Sequence, residues 1–246
     1  MEKIEYIKEF DELFALNIDK DNAVSAGLGE DFYMLGEILK EANKIHNLTA
    51  IKEDKEIILK HFIDSLMISE YIPVGSDVID VGCGAGFPSL PLAIFRKDLT
   101  LLSIDSTAKK INYVNDTAKK LGLENIVAIS CRAEELAHQN GRRECFDVAT
   151  ARAVAALPIL TELCLPFVKV GGLFVAMKSQ TAEDELAAAR SAIEKCGGKV
   201  VEVIEKKLVR NDSPEADLRT IIIIEKIKAT PSSYPRIYSK ISKKPL

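Results

Sequence analysis

The feature that most constrains the fold of this 246-residue chain is the segment Val78-Ile79-Asp80-Val81-Gly82-Cys83-Gly84-Ala85-Gly86-Phe87. A short β-branched run ends near an aspartate, three glycines follow at alternate positions, and residues compatible with a helix come next. Glycines with this spacing let the backbone turn sharply and let a ligand approach the main chain where a Cβ would collide. The segment therefore predicts a strand, a ligand-binding turn and a helix.

The positions of the glycines favour one of two ligand types. A dinucleotide fingerprint has the pattern Gly-x-Gly-x-x-Gly, in which backbone amides face a pyrophosphate. Here Gly86 comes one residue early after Gly82 and Gly84, and the carboxylate of Asp80 lies where it would repel a pyrophosphate. At the end of a strand, Asp80 can accept hydrogen bonds, directly or through water, from a positively charged or NH-rich ligand. The pattern favours S-adenosylmethionine over NAD.

From Pro73 onward, predicted strands and helices alternate along the chain. The first five strands are predicted at 77–82, 100–105, 126–131, 146–151 and 172–177. Helices are predicted at about 88–95, 107–121, 133–139, 155–168 and 181–196. Two further strands, 199–208 and 218–226, follow without a helix between them, and the connection contains the turn residues Asn211-Asp212-Ser213-Pro214. This order predicts an α/β fold with a doubly wound, Rossmann-like sheet that is mostly parallel and ends in an antiparallel hairpin.

The first part of the chain is predicted to be helical. Apolar residues recur there at helical spacing in three groups: Ile4, Ile7, Phe10, Phe14 and Ile18; Leu35, Ile38, Leu39, Ala42 and Ile45; and Ile57, Ile58, Phe62 and Leu66, with the small polar Ser69 at the next position of the third group. The groups predict three amphipathic helices. We expect residues 1–70 to form an N-terminal helical cap and residues 71–246 to form the cofactor-binding domain with a basic C-terminal tail, the two making one structural unit.

Composition excludes several classes of protein. No apolar run approaches the ~20 residues needed to cross a membrane, and the acidic, amphipathic N-terminus does not resemble a signal peptide. The five cysteines are odd in number and show no Cys-x-x-Cys spacing, and the three histidines are scattered along the chain. Neither a disulfide framework nor a metal site is therefore predicted. Nothing resembles a dedicated dimerisation helix. We expect a cytoplasmic monomer without a metal or a membrane partner.

Charge is distributed unevenly, although the net charge is only −4. Residues 1–70 carry 8 basic and 16 acidic groups, whereas residues 226–246 carry 6 basic groups and no acidic one. Aromatic residues are interleaved with the basic ones in the tail, a pattern found in surfaces that contact phosphates and bases. The alternative is a basic tail that is simply solvated.

Other candidate residues follow the later strands, whose carboxyl ends meet at the edge of the sheet where the glycine turn lies. Asp105 ends the second strand and can bind both ribose hydroxyls, or it can cap the helix that follows. After the third strand, Ala133 and Glu134 can face an adenine through a backbone N–H and a side chain. Arg152 and Lys178 follow the fourth and fifth strands, where the fork of the arginine can bind a carboxylate, a phosphate or a guanine edge. A surface arginine at the start of a helix is the alternative for Arg152.

Several blocks of the sequence resemble one family more specifically. They are Asn47-Leu48-Thr49-Ala50, His61-Phe62-Ile63-Asp64-Ser65-Leu66, Asp80 to Pro88, Arg132-Ala133-Glu134-Glu135, Ala151-Arg152-Ala153 and Tyr234-Pro235-Arg236. In order and spacing, from about residue 40 to the C-terminus, the chain resembles the glucose-inhibited division protein B family, the guanine-N7 methyltransferases of bacterial 16S ribosomal RNA. The resemblance implies an S-adenosylmethionine-dependent methyltransferase domain over residues 71–246 and, as its partner, 16S ribosomal RNA or the small ribosomal subunit.

The resemblance also implies roles for individual residues. Cofactor contacts carried over from the family fall on Gly82, Phe87, Ala133, Glu134 and Arg152, with Asp80, Gly84, Gly86 and Asp105 added from the residues themselves. Arg152 is also the catalytic candidate, orienting the cofactor or the acceptor. RNA contacts are expected at Lys178, Arg236, Lys240, Lys243 and Lys244. The tail departs from the family where Ser239-Lys240-Ile241 replaces a common Gly-Thr-Pro.

The residues that are missing fit this chemistry as well. No Asn/Asp-Pro-Pro-aromatic motif follows the fourth strand, and no cysteine is placed to attack a pyrimidine ring. Guanine N7 has a free lone pair and no proton to remove, so orientation and exclusion of water suffice without a general base. A methyltransferase for another RNA, a protein or a small molecule remains an alternative, as do a nicotinamide-dependent oxidoreductase and a non-catalytic domain that only binds the cofactor.

Overall fold

The structure is a computed structural model that describes residues 1–18, 27–152, 155–178 and 182–246, without the side chains of residues 182 and 183. Seven strands form one sheet in the order β3-β2-β1-β4-β5-β7-β6. The strands are β1 (Asp77–Val81), β2 (Thr100–Asp105), β3 (Ile126–Ser130), β4 (Phe146–Arg152), β5 (Val168–Lys178), β6 (Gly198–Val209) and β7 (Ala216–Lys226). The first five are parallel, and β7 lies antiparallel between β5 and β6. The predicted α/β fold with its C-terminal hairpin is confirmed.

Helices lie before the sheet and between its strands. The α-helices are α1 (Lys3–Asn17), α2 (Leu28–His46), α3 (Asp54–Ile57), α4 (Asp64–Leu66), α5 (Ser89–Phe95), α6 (Ala108–Lys120), α7 (Ala133–Leu136), α8 (Leu157–Cys164), α9 (Ala182–Lys195) and α10 (Tyr238–Lys243). No helix in the described ranges is both long enough and apolar enough to span a membrane.

Two boundaries differ from the predicted ones for a local reason. The helix predicted at 155–168 ends at Cys164, and a 3-10 turn at Leu165–Phe167 leads directly into β5 at Val168 rather than at 172. Pro166 lies in that turn. Because proline has no N–H and clashes with the preceding turn of an α-helix, it favours this early change of structure.

The segment from 54 to 71 is helical, as the apolar spacing predicts, but it is not one regular helix. Between α3 and α4 the backbone widens into a π-helix at Ile58–Ile63, and a 3-10 turn follows at Ser69–Tyr71. Apolar spacing does not distinguish these variants because the same residues still face the core. The wide turn matters for the candidate site because it contains His61 and the carbonyl of Lys60.

The N-terminal helices share a core with the sheet. Phe10 of α1 and Phe32 of α2 stack with ring centroids 4.4 Å apart, and Phe62 of the π-helix packs against Phe32 at 5.2 Å. These rings belong to one continuous apolar cluster that also includes Val78 of β1. The predicted inward positions of Ile4 and Ile45 are wrong: their side chains are 84% and 75% exposed. The inward face of α1 is formed instead by larger rings that include Tyr6, because the larger apolar surface gains more from burial.

Candidate active site

Asp80 is a buried carboxyl group without a partner. It lies in β1 between Ser103 of β2 and Thr150 of β4, and only 1% of it is exposed. Neither carboxylate oxygen has a hydrogen-bond partner in the described structure. Burial raises the pKa of Asp80 to about 7, against the opposing effects of nearby Ser89 and of the Arg152 guanidinium. A buried acceptor left open in this way costs stability, as expected where a ligand completes the site.

The glycines after Asp80 have different physical roles. Gly82, Gly84 and Gly86 all have positive φ, at 78°, 57° and 83°. A Cβ on Gly84 would meet no atom within 4 Å, so this part of the loop borders open space. A Cβ on Gly86 would lie 2.5 Å from the side chain of Leu90. Gly84 therefore leaves room for a ligand, whereas Gly86 lets the loop pack on helix α5.

Asp105 ties this loop to the next strand. Its Oδ2 accepts a hydrogen bond from the N–H of Gly84 at 3.1 Å, and its Oδ1 accepts one from the N–H of Thr107 at 2.8 Å. Lys110 lies 3.7 Å from the same carboxylate. The contact with Thr107 matches the predicted alternative of a helix-start residue, and the carboxylate also borders the cavity described next.

A cavity of about 170 Å³ opens at the carboxyl ends of β1, β2 and β3. It brings together four of the residues predicted for the cofactor: Gly82, Asp105, Ala133 and Glu134. Its remaining lining residues are Val81, Ile104, Ser106, Cys131, Arg132, Leu163 and Tyr238. The loop after each of the three strands thus contributes to one cavity, as the parallel order of the strands requires.

Phe87 connects the glycine loop with the N-terminal helical segment. The His61 ring is stacked on the Phe87 ring with centroids 4.6 Å apart and planes 6° apart, and the Arg152 guanidinium lies 5.3 Å from the Phe87 centroid. Burial, with a smaller effect of the Arg152 charge, lowers the pKa of His61 to about 3. His61 is therefore neutral, and its Nε2 lies 2.8 Å from the hydroxyl of Thr49.

Arg152 is the last residue of β4, and its side chain is hydrogen-bonded to protein groups rather than to solvent. One terminal nitrogen donates to the carbonyl of Lys60 at 3.0 Å and to Oδ2 of Asp64 at 3.2 Å. The other lies 3.5 Å from Nδ1 of His61. Arg219 of β7 donates through Nε to the other oxygen of Asp64 at 2.8 Å. Asp64 thus binds two arginines, one through each carboxylate oxygen. Arg152 is held in the protein and is not the surface arginine that the sequence allowed as an alternative.

A second cavity, of about 300 Å³, lies beside this cluster at the ends of β4 and β5. It is lined by Asp64, Met67, Arg152, Met177, Lys178, Glu185, Arg219, Thr220 and Ile221. Lys178 forms an ion pair with Glu185 at 2.6 Å and donates to the carbonyl of Ala155 at 2.9 Å. The cavity therefore offers three cationic groups together with two carboxylates.

The basic tail is docked on the protein body rather than extended into solvent. Arg236 binds Glu162 through its N–H at 2.9 Å, its Nε at 2.8 Å and a terminal nitrogen at 2.6 Å. Three lysines of the tail have exposed side chains: Lys240, Lys243 and Lys244. Arg236 thus has a partner inside the protein, whereas the sequence predicts an RNA contact for it.

Arg219 was missed in the sequence, whereas Asp64 was named there within the block His61 to Leu66 and Tyr238 within the basic tail, but neither was assigned to a cavity. Arg219 is the charged residue nearest to the start of the apolar run Ile221 to Ile224, and this position next to a buried strand is the signal that marks it. For Asp64 and Tyr238, nothing local points to a cavity, since their neighbours come from elements remote in sequence. Ala153, from the predicted Ala-Arg-Ala block, lies outside the described residues.

Comparisons with known proteins agree with the family suggested by the sequence blocks. The family model described as rRNA small subunit methyltransferase G matches residues 30–213. The ribosomal RNA small subunit methyltransferase G of Clostridium perfringens is 42% identical over 219 residues, which is 88% of this chain and 90% of the relative. The protein of the same name from Lactobacillus delbrueckii subsp. bulgaricus is 42% identical over 240 residues, 96% of this chain and 99% of the relative. The predicted resemblance is confirmed.

A solved structure supports the fold. The crystal structure of M. jannaschii TYW2 in complex with AdoMet superposes with a TM-score of 0.51, covers 67% of this chain and 77% of its own, and is 16% identical in sequence. At that identity the likeness concerns the arrangement of strands and helices alone.

Proposed function

This chain belongs to the rRNA small subunit methyltransferase G family, and we propose that it methylates N7 of a guanine in 16S ribosomal RNA with S-adenosylmethionine as the methyl donor. The name shared by the relatives favours methyl transfer over the hydride transfer of a nicotinamide-dependent oxidoreductase. The assignment of the acceptor as N7 of a guanine is based on the resemblance found in the sequence and on the chemistry that the site allows.

One observation supports the proposal at the level of individual residues. Two cavities with different chemistry open at the same edge of the sheet, one against the glycine loop and one against Arg152. The first is lined by Gly82 and Asp105. Asp80, whose carboxylate has no partner among the described residues, and Gly84, which has open space beside it, lie on the strand and glycine loop that also contain Gly82, so this region suits a cofactor with an ammonium group and a ribose. The second, with its cations and carboxylates, suits a polar base.

The first site suits S-adenosylmethionine in the polar groups that it offers. Asp80 would accept hydrogen bonds from the ammonium group of the cofactor, directly or through water, and Asp105 would bind the ribose hydroxyls. Ala133 and Glu134 would face the adenine. The bound cofactor supplies an electrophilic methyl group. Every other requirement of the reaction falls on the protein, which must hold the two reactants in line and keep water out.

The second cavity suits guanine because both edges of the base find complementary groups. The carboxylate of Asp64 or Glu185 can accept from the N1–H and the exocyclic amino group, while Arg219 or Lys178 can donate to O6. The N7 lone pair then forms the new N–C bond as the S–C bond breaks, and the positive charge passes from sulfur to the purine. No proton moves, so the reaction needs no general base and the neutral state of His61 does not impede it.

We assign Arg152 to orientation. It contacts Phe87 of the cofactor loop and Asp64 of the second cavity. The guanidinium would therefore set the position of the cofactor relative to that of the guanine. The exposed Lys240, Lys243 and Lys244 remain candidates for RNA phosphates. Lys178 and Arg236 are already paired with Glu185 and Glu162, so an RNA phosphate would have to compete with these carboxylates for the two cations. With a net charge of −4, affinity for arbitrary RNA should be low and should fall with salt.

The test is methyl transfer from radiolabelled S-adenosylmethionine to three acceptors, namely 30S subunits, free 16S RNA and a protein extract. We expect label in ribosomal RNA alone, at one guanine that becomes sensitive to strand cleavage at N7-methylated sites. A synthetic RNA carrying 7-deazaguanine at the mapped position should take no label, because the attacking atom is replaced. Label in protein, or transfer to the 7-deaza substrate, would overturn the proposal.

The same experiment addresses the partner and the place of the reaction. A cytoplasmic enzyme that works as a monomer is the arrangement we propose, with either free 16S RNA or the assembled subunit as its substrate. Comparison of initial rates on the two acceptors distinguishes these substrates. The Gly84→Asp variant serves as the negative control, since its added carboxylate would occupy the open space beside the glycine loop.

A further inference from the structure

The C-terminal helix α10 lies against the cavity predicted to hold the adenosine. Tyr238, the first residue of this helix, lines that cavity together with Asp105, Ala133 and Glu134. Its backbone N–H donates to Oε1 of Glu134 at 3.3 Å, and the guanidinium of Arg132 lies 5.7 Å from the centroid of its ring. Tyr238 as a residue is 38% exposed. A partly exposed aromatic residue therefore lines the cavity.

The position of this ring is set by a buried ion pair. Glu162 of α8 is fully buried, with 0% of it exposed, and both its carboxylate oxygens bind Arg236. A forked pair of this kind is geometrically specific, and loss of either partner from a buried pair is costly because the other charge remains behind. Arg236 thus fixes the chain two residues before Tyr238.

Further contacts hold the tail on both sides of that pair. Arg143 donates to the carbonyl of Tyr234 at 2.9 Å and to that of Thr230 at 2.8 Å. Nε2 of His138 lies 2.9 Å from the carbonyl of Pro235, and Ile241 of α10 is completely buried. The path of the tail is therefore determined by the protein body, so Tyr238 reaches the cavity before any RNA is present.

We propose that Tyr238 is a further cofactor-binding residue, an aromatic wall for the adenine, and that the Glu162–Arg236 pair is its positioning element. This inference rests on the proposed function and on the assignment of the cavity to adenosine. A purine stacks on an aromatic face whatever its hydrogen-bonding edge. The adjacent guanidinium of Arg132 keeps the ring in place by a cation–π contact.

The test is calorimetric titration of the full-length protein with S-adenosylhomocysteine, which reports binding without turnover. Loss of an aromatic stacking partner corresponds to an increase in Kd of about 5- to 50-fold, so we expect this for Tyr238→Ala. Tyr238→Phe, which keeps the ring, should stay within about twofold of the wild type. Ile237→Ala is the matched control, because this neighbouring side chain is 59% exposed and does not line the cavity.

The positioning role has its own measurement. Arg236→Ala should weaken binding in the wild-type background and should have little further effect in the Tyr238→Ala background, since coupled residues are not additive. Equal losses in both backgrounds would show that Arg236 does not act through Tyr238.

The outcomes separate this inference from the function on which it rests. If the wild type fails to bind S-adenosylhomocysteine, the cofactor assignment itself fails. If the wild type binds and Tyr238→Ala binds equally well, or if Tyr238→Phe is as weak as Tyr238→Ala, the aromatic wall is overturned while the proposed function stands.

Discussion

At the scale of single residues, the site is marked by groups that would be unfavourable without a ligand. The carboxyl group of Asp80 is buried, with no partner for either oxygen among the residues that the structure describes, and Gly84 keeps an open space beside a backbone in the left-handed region. Neither feature improves the packing of the protein. Both are explained if a cofactor supplies the missing donors and fills the space.

Replacing Asp80 by Asn should stabilise the protein in a way that depends on pH. The folded pKa of Asp80, about 7, is above the ordinary value of 3.8, so the folded state binds the proton more tightly than the unfolded state does. The destabilisation is absent below about pH 4, grows as the pH rises, and is complete above about pH 7. At pH 8 we expect the free energy of unfolding of Asp80→Asn to exceed that of the wild type by on the order of 2 to 4 kcal/mol. The variant should therefore unfold at a higher urea concentration.

At pH 4 to 5 most of this gain should disappear. At pH 8 cofactor affinity should fall at least tenfold because Asn keeps an acceptor oxygen but loses the negative charge, and this loss should be smaller at pH 4 to 5, where the wild-type carboxyl is itself neutral. Urea unfolding at the two pH values measures the first effect and calorimetry the second. A gain in stability that did not change with pH would contradict the assignment of a raised pKa to Asp80.

Gly84 and Gly86 should respond differently to substitution, although both belong to one motif. Gly84→Asp places a charged side chain in open space, so we expect cofactor binding to be lost while the protein stays folded, at a cost of about 1 to 2 kcal/mol for the left-handed backbone. Gly86→Ala brings a Cβ within 2.5 Å of Leu90 and should lower the melting temperature more. Thermal unfolding and calorimetry on both variants measure the difference, and the reverse order would refute it.

At the scale of elements, the site depends on contacts between segments that differ in type. The π-helix at Ile58–Ile63 presents a carbonyl to Arg152 of β4, and the short helix α4 presents Asp64 to both Arg152 and Arg219 of β7. π-helical turns are rare and occur often at functional sites. Here the wide turn brings the helical segment and the sheet edge to a single guanidinium.

Arg152→Ala should strongly reduce methyl transfer while the protein stays folded. Asp64 would keep Arg219 as a partner, so we expect a loss of about 1 to 3 kcal/mol in unfolding free energy. Misplaced reactants should lower kcat by about 100-fold. Arg152→Lys, which keeps the charge without the planar fork, should recover stability but only a small part of kcat. Single-turnover kinetics and urea unfolding test both statements, and full activity in either variant would exclude an orienting role.

At the scale of the whole molecule, the helical cap and the sheet share one apolar core. Rings from α1, α2 and the π-helix belong to the same cluster as residues of β1, β2 and β7. Residues 1–70 and 71–246, distinguished in sequence by the change of pattern, are therefore joined by packing. We propose that they unfold as one unit.

A comparison of two substitutions in α1 tests this proposal. Phe10→Ala removes a fully buried ring and should lower the free energy of unfolding of the entire chain by about 3 to 5 kcal/mol. Ile4→Ala, on the exposed face of the same helix, should change it by less than about 0.5 kcal/mol. Circular dichroism and tyrosine fluorescence should follow one coincident transition in both variants. A separate early transition for Phe10→Ala would show that the cap unfolds independently.

Much of the fold could be predicted because its signals are local. The β-branched run before Asp80, the alternation of strands and helices, and the missing helix before β7 are all readable from neighbouring residues. Predictions failed where one pattern allows several outcomes. Apolar spacing placed Ile4 inside although larger rings occupy that face, and it did not distinguish the π-helix from a regular helix because both bury the same residues.

The sequence by itself determined the order of the elements, the glycine turn, and the family to which the chain belongs. Only the tertiary structure decided which remote charges meet. Arg236 reads as part of a basic tail, yet it binds Glu162 from 74 positions away; Arg219 reads as a charge on a strand, yet it meets Asp64 across 155 positions. Such pairs depend on how completed elements pack against one another. Because a buried charge is costly without a partner, the pairs that form are those that the packing brings within reach.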